Sequence, residues 1–237
     1  MTASMTPLTP EQHGHLKVVA QVTPSDYCGE QAIPVTAQEF AAVASQWPVV
    51  FLKHGQTGDF QAVALMGLNP GQNLYCQNND WSLPYMPQAM RHRPFAVTRE
   101  TPDSEQLIIC IDESHPKVSA HQGEALFDSQ GEQTPFLKQR AQSLVDYLHQ
   151  IDATRWLVNF FKQHDLLITQ ELRVNDKEQS TKPIAGLYMV DEQKLKQLDD
   201  EVVNELRRRG FLGAIYSHLT SLHQIQRLTH DFIQYNR

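Results

Sequence analysis

Polar and apolar positions along this chain follow two different periods. Between residues 49 and 112 the apolar residues come in short runs closed by Gly, Pro, Asn or Asp. These runs are VVFLK (49–53), FQAVALMGL (60–68), FAVTR (95–99) and QLIICID (106–112). Such runs read as β-strands, and the turn from Gly55 to Gly58 joins the first two into a hairpin. Leu16 to Val22 and Asn73 to Gln77 are weaker strand candidates. One early helix is predicted over 37–46, because Thr36-Ala-Gln-Glu39 is a capping box and Pro48 ends the helical spacing.

Beyond Thr134 the period becomes helical. Thr134-Pro135 supplies an N-cap with proline at the first helical position, and Leu137, Leu144, Val145 and Leu148 follow at helical spacing. Asp152 is read as the cap of a second helix reaching about His164. Leu166 to Val174 and IAGLYMV (184–190) return to the strand pattern. Asp191 and Asp199 each cap a short helix, the second ending at Gly210. The final helix is expected to run unbroken from Phe211 to about Gln234, roughly 35 Å. Leu212, Ile215, Leu219, Leu222, Ile225 and Leu228 or Phe232 form its apolar stripe. His218, His223, Arg227 and His230 mark an outer edge, where a homodimer would weaken near pH 6.

The pattern therefore predicts an α+β fold, a mainly antiparallel sheet in the N-terminal half with C-terminal helices packed against it. Residues 1–15 are expected to be a loose arm. Residues 16–237 are expected to form a single domain, mostly β over 16–133 and mostly α over 134–237.

Composition narrows this reading without changing it. With 41% apolar and 20% charged residues among 237, the chain is globular in type. Its net charge of −7, with neither half basic, argues against a nucleic-acid binder. Cys28, Cys76 and Cys110 are odd in number and far apart, so three reduced, partly buried thiols are expected. No basic run followed by an apolar core opens the chain, and no window approaches 18 apolar residues. A cytoplasmic protein with no membrane span is the expectation.

Candidate chemistry concentrates between Asn69 and Phe95, a stretch rich in Asn, Pro, aromatic rings and arginine. Arg91 and Arg93 flank His92 just before Pro94, while Pro84 and Pro87 hold Tyr85 in extended backbone. Guanidinium groups beside rings can grip a carboxylate or phosphate at two points while the rings shield it from water. Trp81, Tyr85, Arg91, Arg93, Asn78, Asn79, Asp80 and His92 are the ligand- or partner-binding candidates. The alternative is that the rings cover the sheet and the arginines pair with nearby acids.

Catalytic patterns are missing. HExxH, GxxxxGK, GxGxxG and GxSxG do not occur. Asp112, His115 and His121 form a weak alternative ligand set for iron or zinc. Asp128, in Phe127-Asp128-Ser129-Gln130-Gly131, is more simply a turn residue. No catalytic residue and no cofactor are expected.

Several stretches resemble the bacterial SapC family, named for surface-layer-associated proteins. They are Trp81-x-x-Pro84-Tyr85-x-Pro87 with Arg91-x-x-Pro94-Phe95, and Gly123-x-x-Leu126-Phe127-Asp128-x-x-Gly131-x-x-Thr134. Further on come Gly186-Leu187-Tyr188-x-Val190-Asp191-Glu192-x-Lys194-Leu195 and Ile225-Gln226-Arg227-Leu228. The likeness spans roughly residues 15–232. It implies an accessory role, since such proteins tend to be encoded beside TonB-dependent receptors, flavin-dependent halogenase-like proteins and cupin-type hydroxylases. It brings no established catalytic residues.

Three functional readings result. The first is a cytoplasmic accessory protein, without evident catalysis, that binds a protein or peptide partner or a small carboxylate or phosphate ligand. It would support nutrient uptake or peptide and protein modification. The second is a metal-dependent enzyme acting on a peptide or sugar-like substrate. The third is a surface-layer component.

Overall fold

Local signals in the sequence account for most element ends in the computed structural model. The structure describes residues 5–21, 24–76, 84–101, 104, 106–175 and 181–235. In the first half lie β1 (Met5–Pro7), α1 (Pro10–His13), β2 (Lys17–Val18), β3 (Ala32–Pro34) and α2 (Phe40–Ala44). They are followed by β4 (Val49–Lys53), β5 (Phe60–Leu65), α3 (Gln88–His92), β6 (Phe95–Arg99) and β7 (Leu107–Asp112). The second half adds β8 (Val118–Ser119), β9 (Glu124–Ala125), α4 (Pro135–Gln163), β10 (Leu167–Asn175) and β11 (Thr181–Val190). It ends with α5 (Glu192–Lys196), α6 (Asp200–Arg208), α7 (Leu212–Ser221) and α8 (Gln224–Tyr235). The fold is α+β with antiparallel sheets.

Two compact units emerge. Unit 1 comprises Met1–Asp26 and Gln88–His149; unit 2 comprises Tyr27–Pro87 and Gln150–Arg237. Helix α4 is continuous and contributes its first half to unit 1 and its second half to unit 2.

Unit 1 carries two small sheets, ordered β1-β7-β6 and β8-β2-β9. Its core gathers Val18, Phe95, Ile111, Leu126, Phe127, Leu137 and Leu144. The chain approaches itself closely at Gly123, where φ is +107° and a Cβ would meet the Val18 carbonyl at 2.5 Å. Asp128 Oδ1 accepts from the amides of Gln130 and Glu132, the turn role expected of it. Thr134 Oγ1 then accepts from the Leu137 amide at the start of α4.

Unit 2 is built on a five-stranded sheet, β10-β11-β4-β5-β3. The hairpin β4–β5 pairs in register from Val49 opposite Ala64 to Lys53 opposite Phe60. Val50, Val63, Leu65 and Leu187 on this sheet pack with Leu228 and Phe232 of α8. The capping box forms: Glu39 Oε2 accepts from the Thr36 amide, although the first turn is a 3-10 turn (Ala37–Glu39) before α2.

Several expectations are corrected. Residues 5–13 are not a loose arm. Met5–Pro7 pairs with Cys110–Asp112, and Thr9-Pro10 opens α1 with the same signature that Thr134-Pro135 gives α4. Asp152 caps nothing; it lies inside α4 and pairs with Arg155 one turn on. Asn73–Cys76 is not a strand but a turn held by the Asn73 amide on the Cys28 carbonyl.

The last helix is two helices. Leu222 and His223 bond back three residues rather than four, to Leu219 and Thr220, and end α7. His218 is no part of an outer edge: it is fully buried, with Nδ1 on the Val49 carbonyl and Nε2 accepting from the Val190 amide. The three thiols are not all free either. Cys28 and Cys76, 48 residues apart, form a disulfide, while Cys110 stays a buried thiol. Asn73 brings the two cysteines together, a tertiary contact that cysteine spacing does not encode.

Candidate functional site

Helix α3 is short because proline brackets it. Pro87 precedes it, and Pro94, after a cis peptide bond, follows Arg93. This places Arg91 exposed, His92 buried and Arg93 half-buried in unit 1. The His92 ring stacks on Tyr147 of α4, centroids 4.8 Å apart. Its Nδ1 is buried and meets no hydrogen-bond partner. Burial, then the charges of Arg140 and Arg91, push its pKa down to about 4.

The loop after β7 brings a second group. Asp112 Oδ1 accepts from the Ser114 amide and hydroxyl, closing a tight turn. His115 Nδ1 accepts from the Lys117 amide, and the Lys117 carbonyl accepts from the Val19 amide. With its backbone clamped on both sides, Lys117 turns inward and is 3% exposed. Its ammonium forms no hydrogen bond or ion pair with the described residues. Burial lowers its pKa; Asp26 opposes that shift, while Arg140 and Arg93 add to it. His115 is likewise lowered by burial, against Asp26 and Asp112. Asp26 itself has a buried Oδ2 with no hydrogen-bond partner.

Unit 1 thus collects Arg91, Arg93, Lys117 and Arg140 around two carboxylates, Asp26 and Asp112, in a chain whose net charge is −7. An isolated buried charge is costly, and a counter-charge or hydrogen-bonding group arriving from outside relieves that cost.

The remaining candidates lie elsewhere. Tyr85 belongs to unit 2, half-buried, and its hydroxyl donates to Glu39 Oε1 at 2.8 Å, so that group is engaged internally. Asn78, Asn79, Asp80 and Trp81 lie outside the described residues. Asp112, His115 and His121 are not gathered as ligands. His121 is exposed, and among the described residues no group of three His, Cys, Asp or Glu side chains could hold a metal ion.

Asp26, Lys117, Arg140 and Tyr147 were not foreseen. One signal was available: Arg140 and Tyr147 fall on the α4 face of Leu137, Leu144 and Leu148, and an arginine within an apolar stripe is a readable anomaly. Lys117 and Asp26 carry no such mark.

A model of the SapC family matches residues 8–228. The chain belongs to the SapC family. No curated protein and no solved structure matches it. The stretches that carry the SapC likeness divide by role. Gly123, Leu126, Phe127, Asp128, Gly131 and Thr134 shape the backbone feeding α4. Gly186, at φ +82°, lies opposite the register shift between Gln170 and Leu172 in the β10–β11 pairing, and Asp191 caps α5. Arg227 donates to the Gln46 carbonyl and lies 5.9 Å over the Tyr75 ring. Local structure accounts for these, whereas Arg91 and Arg93 belong to the cationic cluster. No helix among the described residues is long and apolar enough to cross a membrane.

Proposed function

We propose that this SapC-family chain is a cytoplasmic accessory protein without catalysis of its own, which captures an anionic group. That group belongs to a protein or peptide partner or to a small carboxylate or phosphate ligand. The supporting observation is the grouping of Arg91, Arg93, Lys117 and Arg140 near only two carboxylates, Asp26 and Asp112, inside a protein that is acidic as a whole. Arg91, exposed on α3, meets the partner first, and Arg93 reaches inward from the same segment. The partner would be a component of nutrient uptake or of peptide and protein modification. In a reducing cytoplasm Cys28 and Cys76 would stand as neighbouring thiols, and the proposal does not depend on their bond.

Capture from native lysate tests this reading. The pair Arg91→Ala and Arg93→Ala should lose the partners retained by wild type, with Tm within a few degrees because exposed and half-buried charges add little stability. Identical partners on both baits, identified by mass spectrometry, would refute the reading.

A further inference from the structure

Three unmatched groups share the interior of unit 1. Lys117 is 3% exposed, and its ammonium, which keeps some solvent access, bonds none of the described residues. His92 is 6% exposed and its Nδ1 has no partner. Asp26 Oδ2 is buried and equally alone. Arg140 links the first two, being a charge neighbour of both His92 and Lys117. Buried ionisable groups in folded proteins are nearly always paired or hydrogen-bonded, so this much unspent bonding capacity in one place points to a missing partner.

We propose that the interior of unit 1 is an oxyanion-binding site, with Lys117 as its charged anchor and His92 and Arg140 beside it. The inference rests on the accessory reading above and names the chemistry that site recognises. The simplest rival is an internal Lys117–Asp26 pair. Asp26 lies within charge range of Lys117, yet no ion pair closes between them, and each keeps an unmatched group. An oxyanion satisfies the ammonium directly, and the arginines offset the repulsion from Asp26. His92, neutral when the site is empty, can donate from Nδ1 to the same oxygen once its ring carries the proton there.

The test is calorimetric titration of the full-length chain with inorganic phosphate and, separately, with succinate, in a buffer lacking both. Saturable binding of at least one is expected. Phosphate alone would indicate a phosphate-bearing ligand, succinate alone a carboxylate, and both a general oxyanion site. Saturable binding of neither overturns the proposal. Lys117→Met should weaken binding about tenfold or more while the far-ultraviolet spectrum is unchanged. Wild-type affinity in that variant also overturns it. Should Lys117→Met fail to fold, Arg140→Gln takes its place, with the same direction expected.

Asp26→Asn separates the two explanations by sign. Removing a repelling carboxylate should tighten binding roughly threefold, whereas breaking an internal pair would lower Tm and leave binding no tighter. The two proposals can fail apart. Arg91→Ala that loses partner capture but still binds phosphate leaves the interior site standing. A wild type that captures partners but binds neither anion leaves the accessory role standing.

Discussion

In unit 2, His218 is fully buried and both ring nitrogens are used, one on the Val49 carbonyl and one on the Val190 amide. In unit 1, His92 is nearly as buried and its Nδ1 meets nothing. The same contrast repeats around them. Ser221 accepts from the Val49 amide at 2.8 Å and donates to the His218 carbonyl, and Thr154 accepts from the Ala37 amide while donating to Gln150. The unmatched buried atoms of Gln31, Gln46 and Gln72 in unit 2 are neutral amide oxygens. Those of unit 1 sit on ionisable groups. The buried polar groups around His218 hold α7 to the sheet. His92 Nδ1 and Asp26 Oδ2, by contrast, meet no hydrogen-bond partner, even though His13 in the same unit uses both ring nitrogens.

The comparison can be broken most decisively with acid. Burial pushes His218 down to about 4 from an ordinary 6.5. The unfolded chain therefore takes up a proton that the folded chain refuses. The stability this represents, on the order of 3 kcal/mol, is fully present above pH 6.5 and is lost as pH falls toward 4. Titration of the imidazole resonances should give midpoints near 4 for both His218 and His92. Added phosphate should raise the His92 midpoint and leave His218 unmoved. A His218 midpoint near 6.5 would show that its ring is not held as described.

A smaller effect sharpens the contrast through two substitutions. Ser221→Ala leaves the buried Val49 amide without its acceptor and should cost about 2 kcal/mol, seen as a Tm several degrees lower. Lys117→Met removes the charge of a nearly buried residue whose ammonium bonds none of the described residues, and should leave Tm unchanged or raise stability by about 1 kcal/mol. Equal losses in the two variants would erase the distinction between the units.

Much of the fold was readable because its signals are local. The β4–β5 hairpin, the capping box at Thr36, the caps at Thr134 and Asp191, and Gly210 at φ +77° after α6 each depend on a few adjacent residues. Misreadings came where tertiary context overruled a local cue. Asp152 looks like a cap, but helix α4 passes through it. Nothing in LTSLHQIQ breaks a helix by itself. There the Ser221 hydroxyl bonds the His218 carbonyl as α7 ends in three-residue bonds. Arg91, His92 and Arg93 stood out in sequence as a basic cluster between prolines. Lys117 and Asp26 did not, because their meaning lies in burial and in missing partners, which no spacing encodes.

The opposite signs of whole and part have a kinetic consequence. A chain of net charge −7 repels an oxyanion at long range, and the attraction of Lys117 and the arginines is felt near contact. Raising the salt to about 0.15 M shortens the reach of both fields to roughly 8 Å. Stopped-flow measurement of phosphate uptake should therefore show arrival growing faster and residence shorter, the reverse of the slowed arrival expected at an openly basic surface.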